Sequence, residues 1–426
     1  MLRRPRALTL PKLSLARLAL PCLVALAALG AVASPLPALG APASFPLEQG
    51  EWVADPATGK SLYHVNGALA DCVFVSDAAN GELYWFERGE FVREHAFFDA
   101  ASQEWYWADA DGTIACDKDV FIPKDESDRT KGGKWVRVDA DYALVKGEDL
   151  RYGGWYWFDP VTGEMAKGFV FVPSNGGKWV FYDHITGQMA HGERYIDGSF
   201  GDEPGWMYFD DVTGAVHYGW KDLPGTNGGT GKTVYYDGVT GRMVYGWRNV
   251  DGMTCLFDPH TGEAVIRQSV VWKGTEKYSS GRQGNDWQCL VIHTTQIPTL
   301  EGVDEVFADA DGRAASAHYA VGGTEVHQYV RLEDTAWAVG NWNWNTRTVS
   351  IEHVGTSDVP PTYETLDTSA KLMASLAHSK GWTSLVMGRN VDVHRSFYED
   401  TECPFGLDVD WLVNRANHYL SLGAAR

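Results

Sequence analysis

A seven-position phrase recurs five times in the middle of the chain and limits what the chain can fold into. It consists of two mainly aromatic residues, Asp, two further residues and Thr-Gly, and its aspartates are Asp159, Asp183, Asp210, Asp237 and Asp258. Alternating aromatics predict a first strand, and D-x-x-T-G predicts a turn in which Asp accepts backbone hydrogen bonds and Gly takes a positive φ. The short segment after the turn is then expected to return as the second strand of a β-hairpin.

Successive copies of this hairpin are expected to stack into a solenoid. One hairpin of this length cannot bury enough apolar surface to be stable, whereas stacked neighbours bury a continuous core. The composition agrees, because the 426 residues include 18 Trp, 19 Tyr, 17 Phe and 46 Gly. Weaker copies of the phrase begin at Leu62 and Trp105. We therefore assign residues 50–268 to an aromatic repeat array.

The first 33 residues are typical of an export signal. Five basic residues occur up to position 17, an apolar stretch runs from Leu18 to Val32, and Ala31-Val32-Ala33 has the small-x-small pattern of a signal-peptidase site. An uncleaved membrane anchor is the alternative, because the apolar stretch is nearly long enough to span a bilayer. We predict a signal peptide over residues 1–33, a linker over 34–49 and a secreted protein with no stable membrane anchor.

The charge balance excludes one class of partner. Lys and Arg number 36 against 56 Asp and Glu, which gives a formal net charge of −20. A nucleic-acid partner requires clustered cations that neutralise its phosphates, so we expect no nucleic acid.

Five cysteines follow the predicted signal peptide: Cys72, Cys116, Cys255, Cys289 and Cys403. An odd number leaves at least one thiol unpaired or bound to a metal. Cys72 and Cys116 occupy similar places in adjacent weak repeats and are candidates for a disulfide. Whether Cys255 pairs with Cys289 is left open by the sequence.

The repeat phrase stops near residue 269, and a different pattern places polar residues at the ends of apolar runs. His293 follows the run Gln288–Ile292, His394 follows Val391–Val393, and Cys403 comes nine positions later. Two imidazoles and a thiolate are ligands that zinc accepts, and a catalytic zinc uses three protein ligands with a fourth position open for water. The alternatives are ordinary structural histidines and a disulfide-bonded Cys403.

The C-terminal third also resembles the zinc-dependent N-acetylmuramoyl-L-alanine amidases, the family that includes peptidoglycan recognition proteins and phage amidases. Six motifs match in order: VIHTT at Val291–Thr295, ASAHYAV at Ala315–Val321, TAWAVGN at Thr335–Asn341, SIEHVG at Ser350–Gly355, VDVHRS at Val391–Ser396 and TECPFG at Thr401–Gly406. The resemblance implies an α/β domain over residues 269–426, with a mixed central sheet flanked by helices.

The resemblance also implies roles for single residues. His293, His394 and Cys403 would be the zinc ligands, and Glu352 would be the catalytic glutamate. Thr401 falls where family members carry a Lys or Thr that helps to polarise the scissile carbonyl.

The amidase motifs contain one departure. The family usually has W-H-x-G where this chain has Trp337-Ala338-Val339-Gly340, which puts the substrate contacts in question but not the metal. His318 matches the histidine of the family's SAHY motif, and the sequence leaves open whether its role is structural. We expect His327 and His353 to be structural or surface residues.

The repeats resemble the choline-binding and glucan-binding repeats of Gram-positive surface proteins. In that family, ligands lie between neighbouring hairpins, and a quaternary ammonium gains a cation–π attraction from Trp and Tyr faces. Sugars stack on the same rings, so either a choline-bearing teichoic acid or a glucan is an expected partner. Many aromatics would be core only. The rings that we expect to be exposed for binding are Trp206, Trp220 and Trp247.

Together these patterns predict a multidomain protein, with a β-hairpin solenoid followed by an α/β amidase domain. The expected function is secreted peptidoglycan hydrolysis in a Gram-positive wall, at the amide between N-acetylmuramic acid and L-alanine of the stem peptide. A non-catalytic recognition or adhesion protein is the alternative. Helical periodicity predicts a helix over Thr365–Lys380 that ends at Gly381, and a final helix capped by Asp408.

Overall fold

The computed structural model describes residues 50–77, 81–125, 127–225 and 230–424. The predicted signal peptide and linker, residues 1–49, lie outside the described residues. The chain divides into two compact units, residues 1–144 and 145–426, a division that does not coincide with the expected boundary at residues 268/269. Among the described residues, no helix is both long and apolar enough to cross a bilayer.

The first unit consists of short antiparallel hairpins that correspond to the weak repeats. Its strands pair as β1-β2-β3, β4-β5-β6, β7-β8 and β9-β10. The strands are β1 Gly50–Ala54, β2 Ser61–Val65, β3 Ala68–Leu69, β4 Val73–Ser76, β5 Leu83–Glu87, β6 Glu90–Phe91, β7 His95–Asp99, β8 Glu104–Ala108, β9 Lys118–Pro123 and β10 Gly133–Val138. Buried aromatics hold the unit together, and the Trp85 and Phe97 rings stack with centroids 4.6 Å apart.

The second unit begins with five further hairpins. Their strands are β11 Gly147–Arg151, β12 Gly154–Phe158, β13 Gly168–Val172, β14 Lys178–Tyr182, β15 Gly192–Ile196, β16 Gly205–Phe209, β17 Gly219–Leu223, β18 Lys232–Tyr236, β19 Gly246–Val250, β20 Met253–Phe257 and β21 Ala264–Ile266. The prediction that aromatics form the shared core is confirmed, because Phe158, Tyr182, Phe209 and Tyr236 are fully buried.

The pairing within each hairpin differs from the prediction. The aromatic strand pairs with the strand before it, as β13 pairs with β14 from Gly168↔Tyr182 to Val172↔Lys178. After the turns at Asp159, Asp183, Asp210 and Asp237, the following segment makes only an isolated bridge, such as Tyr182↔Met189, before the next hairpin begins. In these four copies the prediction of a second strand is wrong, because too few residues remain between the turn and the next hairpin. In the fifth copy it is confirmed, since β21 follows the turn at Asp258 and pairs with β20.

The predicted turn chemistry is present. Oδ1 of Asp183 accepts hydrogen bonds from the backbone N–H groups of Ile185 (2.9 Å) and Thr186 (2.7 Å). Gly187 has φ +74°, a region that costs a residue with a Cβ atom. The same pattern recurs at Asp210, Asp237 and Asp258, so the repeated phrase encodes the turn.

The segment after each turn links consecutive hairpins. The N–H of Met189 donates to the carbonyl of Trp155, that of Val216 to Trp179 and that of Met243 to Trp206, at 2.8–2.9 Å. Each of these bonds joins the segment after one D-x-x-T-G turn to the aromatic strand of the preceding hairpin. Stacking therefore depends on main-chain bonds as well as on the aromatic core.

The remainder of the second unit is an α/β domain. Its elements are β22 Val271–Trp272, β23 Tyr278–Ser279, β24 Cys289–Thr294, α1 Leu300–Ala308, β25 Tyr319–Gly322, β26 Glu325–Gln328, β27 Thr335–Ala336, α2 Trp342–Asn345, β28 Thr348–His353, α3 Tyr363–Ser379, β29 Val391–Val393 and α4 Val409–Ala424. The main sheet has the order β22-β26-β25-β28-β24-β29, and its only antiparallel pair among the described strands is β25–β26. The expected mixed sheet flanked by helices is confirmed.

The predicted helices form close to the expected positions. Helix α3 begins two residues earlier than predicted, at Tyr363, because the Thr362 hydroxyl accepts the N–H of Thr365 and caps the helix there. Gly381 follows its end with φ +72°. Asp408 accepts the N–H of Trp411 at 3.0 Å and so caps α4, as predicted. The α4 face that contains Leu412 is buried against the core.

The last hairpin, β19–β21, belongs to the core of the α/β domain. Leu256 and Ile266 are fully buried in the same apolar cluster as the sheet strands and the helices α3 and α4. The Trp247 ring stacks on His378 of α3 with centroids 4.4 Å apart and planes 10° apart. It also lies so close to Gly423 of α4 that a Cβ atom there would clash with the indole.

Candidate metal centre

Parallel strand pairing brings two of the expected ligands and the expected glutamate into one row. The register places His293 of β24 beside Glu352 of β28. It also pairs Ile292 of β24 with Val393 of β29. His394, the residue after Val393, is therefore level with His293, on the side of β24 away from Glu352. Neighbours in a row project from the same face of a sheet. This face is opposite the one that packs on α3 and α4, because Ile292 and Val393 are in that core.

Cys403 reaches the row from the segment between β29 and α4. One donor atom from each of His293, His394 and Cys403 lies within 4.8 Å of the others. The imidazole centroids of the two histidines are 4.6 Å apart. The Cys403 sulfur accepts the N–H of Thr294 at 3.3 Å, which fixes it beside the end of β24.

Burial sets the protonation states of the three side chains. It lowers the pKa of His293 well below its usual value, with His394 as the next cause, and it also lowers the pKa of His394. Both imidazoles are therefore neutral at pH 7 and available as ligands. Burial, followed by the nearby Glu352, raises the pKa of the Cys403 thiol to about 12. A cation at this point would reverse that effect and favour the thiolate.

The side chains fit a zinc ion. Among the described residues, Nε2 of His293 and Nε2 of His394 are buried and have no hydrogen-bond partner. Buried polar atoms are rarely left without a partner, so these two point to a missing ligand. Two imidazoles and one thiolate form a set that zinc accepts in catalytic sites. The main chain of Val339 interacts with His394 and orients its ring.

Glu352 is the carboxylate of the site. Its Oε1 lies 3.9 Å from Nδ1 of His293, and its Oε2 is buried without a partner among the described residues. Burial raises the pKa of Glu352 to about 7, with Arg313 opposing the shift. A carboxyl with this pKa can exchange a proton near neutral pH.

Thr401 lies beside Cys403. Its hydroxyl accepts the N–H of Cys403 at 3.2 Å and so braces the segment that holds the thiol. A catalytic contact of Thr401 stays a prediction.

The other histidines have structural partners. His318 is buried, with Nδ1 accepting the N–H of Ser350 at 3.1 Å and Nε2 2.7 Å from the buried guanidinium of Arg282. His353 is also buried, and its Nδ1–H donates to the carbonyl of His293 at 2.7 Å. His327 contacts Asp304 at 2.9 Å. His353 thus supports the backbone of an expected ligand.

Arg313 is a charged residue of the site that the motifs did not single out. It is exposed on the segment between α1 and β25, and its positive charge acts on both Glu352 and His394. Nothing in its sequence surroundings predicts this placement, because the segment has no periodic pattern.

The cysteines of the described residues are all free thiols. The predicted Cys72–Cys116 disulfide is therefore wrong, and Cys255 and Cys289 are also unpaired. The thiol of Cys116 donates to the carbonyl of Ala140, whereas Cys72 lies beside Asp71, so each faces its own neighbours.

The three tryptophans expected to be exposed differ in their surroundings. Trp206 is 40% exposed and packs its edge near Tyr195. Trp220 is half-buried, and the guanidinium of Arg267 covers its ring at 4.1 Å. Trp247 stacks on His378 in the α/β domain, as described above. The expected exposure is wrong for Trp220 and Trp247, because their faces are occupied by neighbouring side chains. A ligand-binding role stays a prediction for Trp206.

An aromatic cavity lies instead in the first unit, and we call it the aromatic cage. It has a volume of about 490 Å³. Its lining includes Trp52, Tyr63, Tyr84, Phe86 and Phe91, together with the carboxylates of Asp77 and Asp111. The Trp52 and Tyr63 rings meet edge to face at 5.1 Å. The weak repeat phrase around Leu62 was the only signal for this cage in the sequence.

A second cavity of about 350 Å³ lies between hairpins of the second unit. It is lined by Phe169, Trp179, Tyr218 and the carboxylate of Asp202, among others. Aromatic rings and a carboxylate therefore come together in both units.

Comparisons with known proteins identify a family for the part of the chain that contains the metal centre. Residues 283–406 match the family model described as N-acetylmuramoyl-L-alanine amidase, and this range contains all six motifs. A search among curated proteins finds no match.

Similar solved structures fall into two groups. Choline binding protein F from Streptococcus pneumoniae is 22% identical with a TM-score of 0.34, over 55% of this chain and 69% of that one. PlyL is 20% identical with a TM-score of 0.29, over 35% of this chain and 96% of that one. AmpD is 17% identical with a TM-score of 0.30, over 36% and 96%.

The family match covers the strands, the histidines, the glutamate and the cysteine that form the centre. The segment from residue 283 to residue 406 is therefore an N-acetylmuramoyl-L-alanine amidase domain, which follows a β-hairpin repeat region in the same chain.

Proposed function

We propose that the protein is an exported, zinc-dependent peptidoglycan amidase that its hairpin repeats hold on the cell wall. The observation that carries the proposal is the convergence of His293, His394 and Cys403 within 4.8 Å, beside Glu352 and inside the matched segment. The bond cleaved is the amide between the lactyl group of N-acetylmuramic acid and L-alanine.

The residues divide the chemistry between them. His293, His394 and Cys403 would hold the zinc, which when bound polarises the scissile carbonyl and makes the attacking water more acidic. Glu352 accepts the proton of that water as the carbon–oxygen bond forms. It then hands the proton to the alanine nitrogen as the carbon–nitrogen bond breaks, so the products are a muramic carboxylate and a free amine.

The surroundings of Glu352 suit this double role. A carboxyl whose pKa is near 7 is basic enough to take a proton and acidic enough to return it. Its partly buried position keeps bulk water away from the transferred proton. The positive charge of Arg313 favours the ionised form of Glu352 and would attract an anionic stem peptide.

The repeats would bind a cationic group of a wall polymer. The aromatic cage combines five ring-bearing side chains with two carboxylates, a combination that suits a quaternary ammonium better than a neutral sugar. We therefore propose a choline-bearing teichoic acid as the repeat ligand and the wall of a Gram-positive bacterium as the location. Residues 1–33 would direct export, and N-terminal sequencing of the exported protein should begin at Ser34.

Digestion of purified peptidoglycan tests the reaction. New N-terminal alanine and new reducing sugar ends are assayed side by side, with and without a zinc chelator. We expect chelator-sensitive release of N-terminal alanine without reducing ends, and we expect Glu352→Gln to abolish it while still binding zinc. Release of reducing ends instead would identify a glycosidase and refute the proposal.

Zinc content tests the ligand assignment separately. Cys403→Ala is expected to lose stoichiometric zinc, whereas the matched variant Cys289→Ala, in which a buried thiol of the same sheet face is removed, is expected to keep it. Equal zinc content in the two variants would show that Cys403 is not a ligand.

A further inference from the structure

A cleft lies at the opposite edge of the catalytic sheet from the metal centre, where the parallel strands begin. We call it the strand-start cleft. It has a volume of about 630 Å³ and is lined by Gly284, Asn285, Asp286, Trp287, Gln288, Arg347, Lys380, Trp382, Arg389 and Asn390. Since β24 rises about 3.3 Å per residue and Gln288 lies five residues before His293, the cleft is about 17 Å from His293. It is therefore separate from the amidase centre.

Main-chain hydrogen bonds fix the cleft. Arg347 and Asn390 directly precede β28 and β29, and Gln288 precedes β24. The N–H of Gln288 donates to the carbonyl of Arg347 at 2.8 Å, and the N–H of Leu290 donates to the carbonyl of Asn390 at 3.0 Å. Gln288, Arg347 and Asn390 are thus held at the start of the sheet strands, which limits the entropy lost when a ligand binds.

The charge of the cleft is opposite to that of the protein. Three cations, Arg347, Lys380 and Arg389, face one acid, Asp286, in a chain with a net charge of −20. Lys380 and Asp286 form an ion pair with each other. In the part of the chain that the structure describes, no carboxylate pairs with Arg347 or Arg389. The excess positive charge therefore belongs to two guanidinium groups.

Two indole rings complete the cleft. Trp287 and Trp382 meet at a centroid distance of 5.2 Å and an angle of 73°, and the Nζ of Lys380 lies 4.6 Å over the Trp287 ring. Lys380 therefore covers the face of Trp287, while Trp382 is half-buried and keeps part of its surface at the cleft. Aromatic surface beside guanidinium groups is suited to a ligand that alternates carbon-rich and anionic units.

We propose that the strand-start cleft is a second wall-binding site, which holds phosphate groups of a phosphodiester-linked polymer between Arg347 and Arg389, with the polymer's polyol or sugar units against Trp382. A phosphodiester offers acceptor oxygens in several directions, which two guanidiniums from different segments can share. A planar carboxylate is satisfied by one guanidinium fork, so a carboxylate polymer fits the arrangement less well. This site requires no hydrolysis and no metal.

Titration calorimetry of the full exported chain with unsubstituted poly(glycerol phosphate) tests the proposal, since this polymer carries no choline for the repeats. Arg347→Gln and Arg389→Gln are each expected to weaken binding about tenfold, the usual effect of losing one charged hydrogen-bonding group. The double variant is expected to lose measurable binding. Arg88→Gln, which removes an exposed arginine from the first unit, is the matched control and should bind like the unchanged protein.

Thermal unfolding and circular dichroism of each variant separate lost binding from lost folding. Arg347 also donates to the carbonyl of Asn343, so Arg347→Gln removes a structural hydrogen bond together with the charge. Arg347→Lys is therefore a second variant, which keeps the charge and is expected to retain most of the affinity. The proposal is overturned if the unchanged protein does not bind the polymer, or if the double variant binds as tightly. Equal affinity for polygalacturonate, a carboxylate polymer, would also overturn it.

Discussion

Leu256→Ala should destabilise the amidase domain although residue 256 lies in a repeat hairpin, outside the amidase match. The Leu256 side chain is fully buried in the same cluster as the catalytic sheet and the helices α3 and α4. Truncation to Ala removes three carbon groups at about 0.8 kcal/mol each, and the cavity that remains adds about 1.5 kcal/mol. We therefore expect a loss of about 4 kcal/mol in the free energy of unfolding.

Leu223→Ala is the matched control, because Leu223 is also buried but packs in the cluster of the neighbouring hairpin β17–β18. A loss of about 4 kcal/mol corresponds to a fall of about 7 °C in the midpoint of thermal inactivation of a unit the size of residues 145–426. We expect this fall in the midpoint of thermal inactivation of the amidase activity for Leu256→Ala. The fall should be much smaller for Leu223→Ala, since repeat hairpins interact mainly with their neighbours.

Hydrogen–deuterium exchange locates the effect. In Leu256→Ala, exchange should rise in β24 and α4, whereas in Leu223→Ala it should rise only in the hairpins. Unchanged protection of β24 in Leu256→Ala, or equal loss in both variants, would refute the assignment of the last hairpin to the catalytic core. In that case residues 269–426, the amidase domain assigned from the sequence, would be expected to fold without the last hairpin.

Three further predictions concern single side chains. Burial lowers the pKa of His353 from 6.5 to about 4. The metal-free protein should therefore lose up to about 3 kcal/mol of unfolding free energy as the pH falls from 6.5 to 4. The urea midpoint of the His353→Asn variant should change less over this pH range. Arg313→Gln should lower kcat/KM about fivefold for a muramyl peptide with a free carboxylate next to alanine, and less for its amidated form; equal losses would contradict a charge role. Trp52→Ala should weaken choline binding about tenfold in equilibrium dialysis, whereas Trp220→Ala, whose ring is already covered by an internal cation, should not.

The sequence predicted most of the amidase centre because its residues stand at the ends of elements with a clear pattern. His293 and His394 follow apolar runs, and parallel strands bring such positions to one edge of a sheet. Cys403 and Glu352 were implied by the resemblance, and the structure places both beside these histidines. Arg313 was not predictable, because it reaches the centre from an irregular segment.

The repeats were harder to interpret because local pattern does not decide which strands pair. The D-x-x-T-G phrase specifies a turn, and turns like the one at Asp183 form as expected. The partner of each aromatic strand, however, depends on the loop before it, which has no fixed phrase. Exposure of a ring depends on long-range packing, as with Trp247 and His378, which are 131 positions apart and could not be paired from sequence.

The continuity between the later hairpins and the catalytic sheet affects where the enzyme can cut. Residues 145–426 form one compact unit, and Trp247 and Leu256 fasten its last hairpin to the sheet. A flexible tether would let the amidase search a sphere around its anchoring point, whereas a rigid attachment limits it to bonds at a set reach. When a hairpin of this unit holds a polymer strand, the protein itself fixes the distance between that strand and the amide that is cleaved. The spacing of the cleaved bonds along the wall would then reflect this distance.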